Sequence, residues 1–211
     1  MGRNVNVSRD DWVAAAFEWI ATSGVATLAV EPLARSLGVS KGGFYWCFGS
    51  RDELLVAVLE RWEQQGTQEI IDAIEQLKAK SPLRELLGRV AQRVKATSAD
   101  SVRVLRMEYA LNCAATDPRV APVVQRVTAA RMGYLAKVLR GEGLTPKVAR
   151  QRAMLAHASY LGLVQLRATG NDAELAALDI DELLEAYLAM VLAPSAKAET
   201  KRATVRKTVA R

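Results

Sequence analysis

The sequence predicts an all-α protein: a small three-helix head followed by a longer helical body. Three observations carry that reading. The hydrophobic half of the 211 residues is rich in Ala and Leu, with few of the every-second-residue alternations a sheet would need. Helix-start chemistry recurs along the chain, at Ser8, Ser40, Ser50, Ser81-Pro82, Asp117-Pro118, Thr145-Pro146 and either Asp179 or Asp181. Between Leu33 and Leu54, the stretch LARSLGVSKGGFYWCFGSRDEL reads as helix, tight turn, helix, and the start of a third helix.

The head begins after a loose arm, Met1 to Val7. Ser8 caps the first helix, and Asp10 and Asp11 stand in its first turn, where the helix dipole favours acids. Trp12, Ala15, Ala16, Trp19 and Ile20 recur at helical spacing, which makes both tryptophans core residues. Ser23-Gly24 ends the helix. A second helix starts near Val30, with Pro32 in the first turn, where its missing N–H is not needed. Leu33, Ala34 and Leu37 form a short apolar face, and Gly38 stops the helix by accepting positive φ. Val39 packs back into the turn, and Ser40 caps a short helix, Lys41 to Phe48. Gly49 closes it, and Ser50 with Glu53 forms an S-x-x-E capping box for the next helix. So short a turn joins its helices steeply. That is helix-turn-helix geometry, whose second helix enters a DNA major groove.

The body follows without an internal repeat. The helix from Arg51 extends through Leu54, Leu55, Val58, Leu59 and Trp62 toward Leu77, with Gly66 as a place to kink or end. A helix after Ser81-Pro82 carries Leu83, Leu86, Leu87, Val90 and Val94. Another covers about 101–114. Asp117-Pro118 starts one that runs toward Leu139 and stops at Gly141 and Gly143. Thr145-Pro146 starts a helix rich in small residues, and the last helix ends at Pro194. The boundaries read as a head over 1–50, a body over 51–194 with helix four from about 51 as connector, and a basic disordered tail over 195–211.

Charge narrows the function classes. The net charge is +6, but residues 1–62 hold six Lys/Arg against seven Asp/Glu, whereas 197–211 hold six against one. The excess therefore sits in the tail, which either adds a salt-sensitive, nonspecific attraction to DNA or only solubilises the chain without touching DNA. Within 32–51, Arg35, Lys41 and Arg51 meet no acid. No apolar run approaches the ~18 residues of a membrane span, and no apolar signal region opens the chain. Cys47 and Cys113 form neither a disulfide framework nor a metal pattern, so a cytoplasmic protein without metal or cofactor is expected. His157, the single histidine, comes with no catalytic motif. A hydrogen-bonded core histidine is the plainer reading, as a buried small hydrophobe is for Cys113.

The run GVSKGGFYWCFGSRDELL, from Gly38 to Leu55, resembles the DNA-binding signature of the TetR family of transcriptional regulators. With the preceding helices the resemblance covers roughly the first 60 residues. Beyond them only the all-helical character agrees. It implies a DNA face made of Thr27, Arg35, Ser40, Lys41, Gly42, Gly43, Tyr45, Trp46, Ser50 and Arg51. Lys41, in the first turn, reaches a guanine edge or a phosphate. Gly42 and Gly43 let the backbone approach the groove, Tyr45 holds a phosphate, and Trp46 meets a base methyl or a sugar. Phe44 and Phe48 are core anchors. The chain departs from the family at Ala29, where a capping Thr is usual and Thr27 is the substitute. It departs again at Cys47, where His or Tyr is common, and at Arg51, usually Lys.

The resemblance also implies a homodimer whose body binds a small-molecule effector and sets the spacing of two heads on a palindromic operator. Met107, Tyr109, Asn112, Cys113, Tyr134, His157 and Gln165 are the candidate pocket residues. Two other readings stand beside a ligand-released repressor: a DNA-binding regulator without a ligand, and a helical enzyme or carrier. The second has no reactive constellation to support it.

Overall fold

In the computed structural model, which describes residues 7–96, 98–170, 177 and 179–193, every regular element among those residues is helical. The arm before Val7, the end signal at Pro194 and the basic tail lie outside them. Helix α1, Arg9–Ser23, opens on a complete capping box: Ser8 Oγ accepts from Asp11 N at 3.2 Å, and Ser8 N donates to Asp11 Oδ2 at 2.8 Å. Helices α2, Val30–Ser36, and α3, Lys41–Cys47, form the helix-turn-helix. Gly38 sits at φ 69° between them, and two bonds close the turn, Gly38 N to Arg35 O and Val39 N to Ala34 O. This is the Schellman arrangement, with Val39 tucked against the core as the inward residue.

Two expected caps differ in detail. Ser40 takes the extended N-cap backbone, but its hydroxyl accepts nothing from α3. Instead the Ser40 carbonyl accepts from Gly43 N at 3.0 Å. At the next start Ser50 Oγ accepts from Glu53 N at 3.1 Å, while Glu53 reaches back to Gly49 N at 2.8 Å, one residue before the cap. The return bond thus ties down the α3–α4 turn.

Helix α4, Arg51–Glu63, continues through a π turn, Gln64–Gln68, into α5, Glu69–Leu77. Gly66 neither ends nor breaks this long helix; it lies in the π turn, where the backbone gains one residue. The body adds α6, Pro82–Lys95, α7, Ala99–Cys113, α8, Ala121–Gly141, α9, Pro146–Ala168, and α10, Ile180–Leu192. Ser81, Ser98, Thr145 and Asp179 cap α6, α7, α9 and α10 through their side chains. Asp117-Pro118 does not start α8. Asp117 instead accepts from Arg119 N in a turn, and Pro122 is the proline of the first helical turn.

The core of the head continues past residue 50. Trp12, Phe44, Leu54 and Val58 belong to the same buried cluster as Met107, Leu111, Val124 and Val127 of α7 and α8. A second cluster joins α6, α8, α9 and α10 around Leu83, Leu139 and Val191. The long α4–α5 helix starts in the head and passes beside the body's interior at its π turn.

Candidate DNA-binding face and interior cavity

Helix α3 splits its aromatic residues between two sides. Phe44 is fully buried, edge-on to Trp12 at 5.3 Å and stacked on Phe48 at 5.6 Å. The next two residues point out: Tyr45 is 56% exposed and Trp46 is 91% exposed. Burying an aromatic ring is worth a few kcal/mol, so a tryptophan left almost wholly in water has no role in holding this chain together. Gly42 and Gly43 have no internal purpose either. A methyl group at 43 would meet nothing within 4 Å, and at 42 only Ser40 Oγ at 3.5 Å. Glycine in a helix costs up to about 1 kcal/mol against Ala, and no packing inside the chain repays that.

Lys41 stands exposed in the first turn and forms an ion pair with Glu31 of α2. That contact holds the Glu31 carboxyl below its usual range and raises the Lys41 ammonium. Arg35 is exposed on α2. Arg51, partly exposed, donates from Nη1 to the Leu28 carbonyl at 3.3 Å and so braces the segment leading into α2. Thr27 does not cap α2. Its hydroxyl lies against the Ser23 and Gly24 carbonyls at 3.1 and 3.0 Å and accepts from Trp19 Nε1 at 3.0 Å, so it closes the end of α1. The α2 N-cap, Ala29, makes no side-chain cap bond. Cys47 Sγ turns toward the Val7 carbonyl, 3.9 Å away, and packs on the core.

Asp52, one residue into α4, accepts from Arg119 Nη1 at 2.8 Å, and Arg119 also grips Asp117 in the α7–α8 turn. This Arg119 contact holds the Asp117 carboxyl down to about 2. Arg103 of α7 lies 3.6 Å from Glu18 of α1. The head is thereby pinned to the body by charge as well as by core.

Inside the body a cavity of about 100 Å³ lies against the π turn. Gly66, Thr67, Arg131, Tyr134, His157 and Tyr160 contribute to it, with Ile70, Ile71, Leu86 and Leu87 as apolar wall. A buried network stands at its edge. Glu108, 2% exposed, accepts from Arg131 Nη1 at 2.6 Å and from Trp62 Nε1 at 3.1 Å. Arg131 Nε donates to Thr67 Oγ1 at 2.8 Å, and its Nη2 donates to the Gly66 carbonyl at 3.3 Å. A Cβ at Gly66 would come within 3.2 Å of that guanidinium, so the glycine gives the arginine room. His157 Nε2 is buried without a hydrogen-bond partner, and burial pushes its pKa down, helped by the Arg131 charge. Burial likewise pushes the Tyr160 phenol well up.

Of the seven candidate pocket residues, Tyr134 and His157 line this cavity. Met107 is fully buried in the head-to-body core. Asn112 donates to the Glu108 carbonyl one turn back, at 2.8 Å. Tyr109 and Cys113 border a surface groove beside the end of α1, and Gln165 borders another between α9 and α10. Cys113 is exposed, contrary to the buried role expected of it: Leu105, Glu108 and Leu111 carry the inward stripe of α7, and position 113 falls off it. His157 lacks, at Nε2, the hydrogen bond a core histidine would have. The residues that sequence reasoning missed are Glu108, Arg131 and Thr67. The first two were detectable, because Glu108 interrupts Leu105–Leu111 and Arg131 interrupts Val124–Val127–Leu135–Leu139, each a charge at helical spacing on an apolar stripe.

Among the described residues no helix is long and apolar enough to cross a membrane. No curated protein sequence matches this one. Residues 13–58 match the tetR family of bacterial regulatory proteins. The fold resembles that of a transcriptional regulator from Rhodococcus sp. Rha1, with 22% identity over 88% of this chain and 96% of that one and a TM-score of 0.71. It also resembles NalD, the secondary repressor of the MexAB-OprM multidrug efflux pump in Pseudomonas aeruginosa, at 20% identity over 86% and 95% of the two chains and TM-score 0.62. A third likeness is to the multidrug binding protein EbrR in complex with imidazole, at 21% identity over 90% and 97% and TM-score 0.57. Residues 13–58 are thus similar to the DNA-binding domain of the tetR family, and the chain has the all-helical fold of the solved transcriptional regulators it resembles.

Proposed function

We propose that this regulator is a homodimeric cytoplasmic repressor without enzymatic activity. It holds a palindromic operator through two copies of α3 and leaves it when a small molecule enters the cavity beside the π turn. The observation that carries the reading is the shared helix: α4–α5 begins behind the recognition helix and reaches the cavity at Gly66 and Thr67, with no loop between them. A ligand that favours one setting of this helix shifts the heads by its difference in affinity for the two settings. NalD, similar in fold, is a repressor, and EbrR, also similar, is a multidrug binding protein.

Dimerisation is supported by α9 and α10. Met154, Leu155, Leu166 and Leu192 are all more than a third exposed, and Ser159 and Gly162 fill the α9 face between Leu155 and Leu166. Two copies of such a face bury each other in a two-fold four-helix interface. The DNA face is Lys41, Gly42, Gly43, Tyr45 and Trp46, with Thr27, Arg35, Ser40, Ser50 and Arg51 around it.

Selection of bound duplexes from a random pool tests this. A palindrome with half-sites about one helical turn apart is expected. Tyr45→Phe should weaken binding to all selected sequences alike, and Lys41→Ala should weaken it too. Wild-type binding by both variants, or a stable monomer by light scattering at micromolar concentration, refutes the docking.

A further inference from the structure

Among the described residues, no carboxylate balances one of the positive charges that line the cavity beside the π turn. Three arginines line it, Arg89, Arg93 and Arg131. Arg131 has Glu108 at 2.6 and 3.1 Å, and Arg89 Nε donates to Glu85 at 2.8 Å. Arg93 enters no ion pair among the described residues. Its polar neighbour is the Tyr160 hydroxyl, a neutral group. No Asp or Glu is among the described residues that line the cavity.

Two further polar groups there are underused. His157 Nε2 is buried without a partner, and the Tyr187 hydroxyl is buried beside Ser159 without a hydrogen bond of good geometry. Buried polar groups are nearly always paired, so His157 Nε2 and the Tyr187 hydroxyl, beside a guanidinium without a counter-charge, point to a polar ligand.

We infer that the cavity takes a small organic monoanion: a carboxylate on a compact aromatic or branched apolar body. The carboxylate meets Arg93, with His157 and Tyr187 as neighbouring donors, and the body lies on Ile70, Ile71 and Leu86. One unbalanced cation matches one negative charge, and a guanidinium binds a carboxylate through two parallel N–H donors. The apolar walls disfavour an inorganic dianion, whose second charge would be stripped of water without a partner. The volume, about 100 Å³, limits the body to a compact one, since a cavity of roughly 150 Å³ accepts benzene and this one opens to one side. A cation is repelled by Arg93, and a neutral ligand leaves it uncompensated. This inference rests on the reading of the cavity as the effector site.

Calorimetric titration of the full chain with benzoate, benzamide and benzylammonium, three probes of one size and different charge, decides it. Benzoate is expected to bind, and the other two at least about tenfold more weakly, the scale of one hydrogen bond to a charged group. Arg93→Gln should raise the benzoate Kd by about tenfold or more, and Arg93→Lys by less, because Lys keeps the charge and loses the fork. Should Arg93→Gln fail to fold, the order of the three probes on the wild type still decides. Benzamide or benzylammonium binding as tightly as benzoate overturns the charge assignment and leaves the effector site standing. Benzoate affinity unchanged in a folded Arg93→Gln also overturns it. Failure of all three probes to bind overturns the effector site along with it.

Discussion

The head and the body of this molecule use polar and aromatic side chains in opposite directions. In the head, Phe44 and Phe48 fill the interior and Tyr45 and Trp46 face water, so the residues proposed to meet DNA are ones the fold does not need. In the body, Glu108, Arg131 and Thr67 are drawn inside, where the fold and the cavity depend on the same atoms. The difference teaches where mutations should separate stability from function. On the α3 surface the two come apart; within the Glu108–Arg131–Thr67 network they cannot.

The largest expected effect tests the inner half of that contrast. Glu108→Gln leaves the Arg131 guanidinium desolvated without its counter-charge and weakens the Trp62 bond. Breaking a buried pair by removing one partner costs about 3–5 kcal/mol, and denaturant unfolding should show a loss of that size. Replacing both partners, Glu108→Met with Arg131→Met, should cost less than the single change, because no charge is then stranded. If the single variant is as stable as wild type, the network is not part of the structural core.

Trp46→Ala tests the outer half. At 91% exposure the side chain contributes little to packing, so melting should stay within about 0.5 kcal/mol of wild type. Affinity for a selected operator should fall by about tenfold, the scale of an aromatic anchor at an interface. A variant that loses stability instead of affinity would erase the distinction between the two regions.

The same contrast explains what could be read in advance. The head was legible because its signals are local: Gly38 and Val39 set the turn, and Ser8 with Asp11 sets a cap, within a few residues of one another. The helix starts of the body were legible for the same reason, at Ser81, Thr145 and Asp179. What failed was non-local. Thr27 was a reasonable cap for α2 by spacing, yet Trp19 and the end of α1 claim its hydroxyl. The cavity gathers residues from α5, α6, α8, α9, α10 and the π turn, and no spacing along the chain encodes that meeting. Residue type alone points to Met107 and Cys113 as pocket residues, but helix phase puts one in the core and the other in water. Helix phase also marks Glu108 and Arg131 as charges on buried stripes.

A smaller effect concerns pH. Burial, with the Arg131 charge adding to it, lowers the pKa of His157 below its ordinary 6.5. A histidine depressed in the folded state is protonated first in the unfolded chain. Its contribution is therefore neutral above the unfolded pKa and turns destabilising as pH falls through 6.5 toward the lower folded value. His157→Phe removes that proton linkage together with a buried unpartnered nitrogen. Between pH 7.5 and 5.5 the variant should lose less stability than wild type in parallel melts. Parallel curves would mean that His157 titrates as it does in water.

The smallest expected effect lies on the DNA face itself. Lys41 is held by Glu31 across the helix-turn-helix, and both groups are exposed, so the pair is worth little to stability. On the proposed docking it matters to binding. The ammonium would have to be shared with, or released by, the carboxylate before meeting a phosphate or a guanine edge, and Glu31 would set a negative charge near the DNA backbone. Glu31→Gln should leave the melting temperature nearly unchanged. It should tighten operator binding by a few-fold at low salt, with the gain shrinking as salt screens both the repulsion and the pair. Lys41→Ala should abolish the part of that gain that comes from freeing the lysine and keep the part that comes from reduced repulsion, so the double variant separates the two. Weaker binding by Glu31→Gln would reverse the assignment: the acid would then be holding Lys41 in its docking position, as the buried Glu108 holds Arg131.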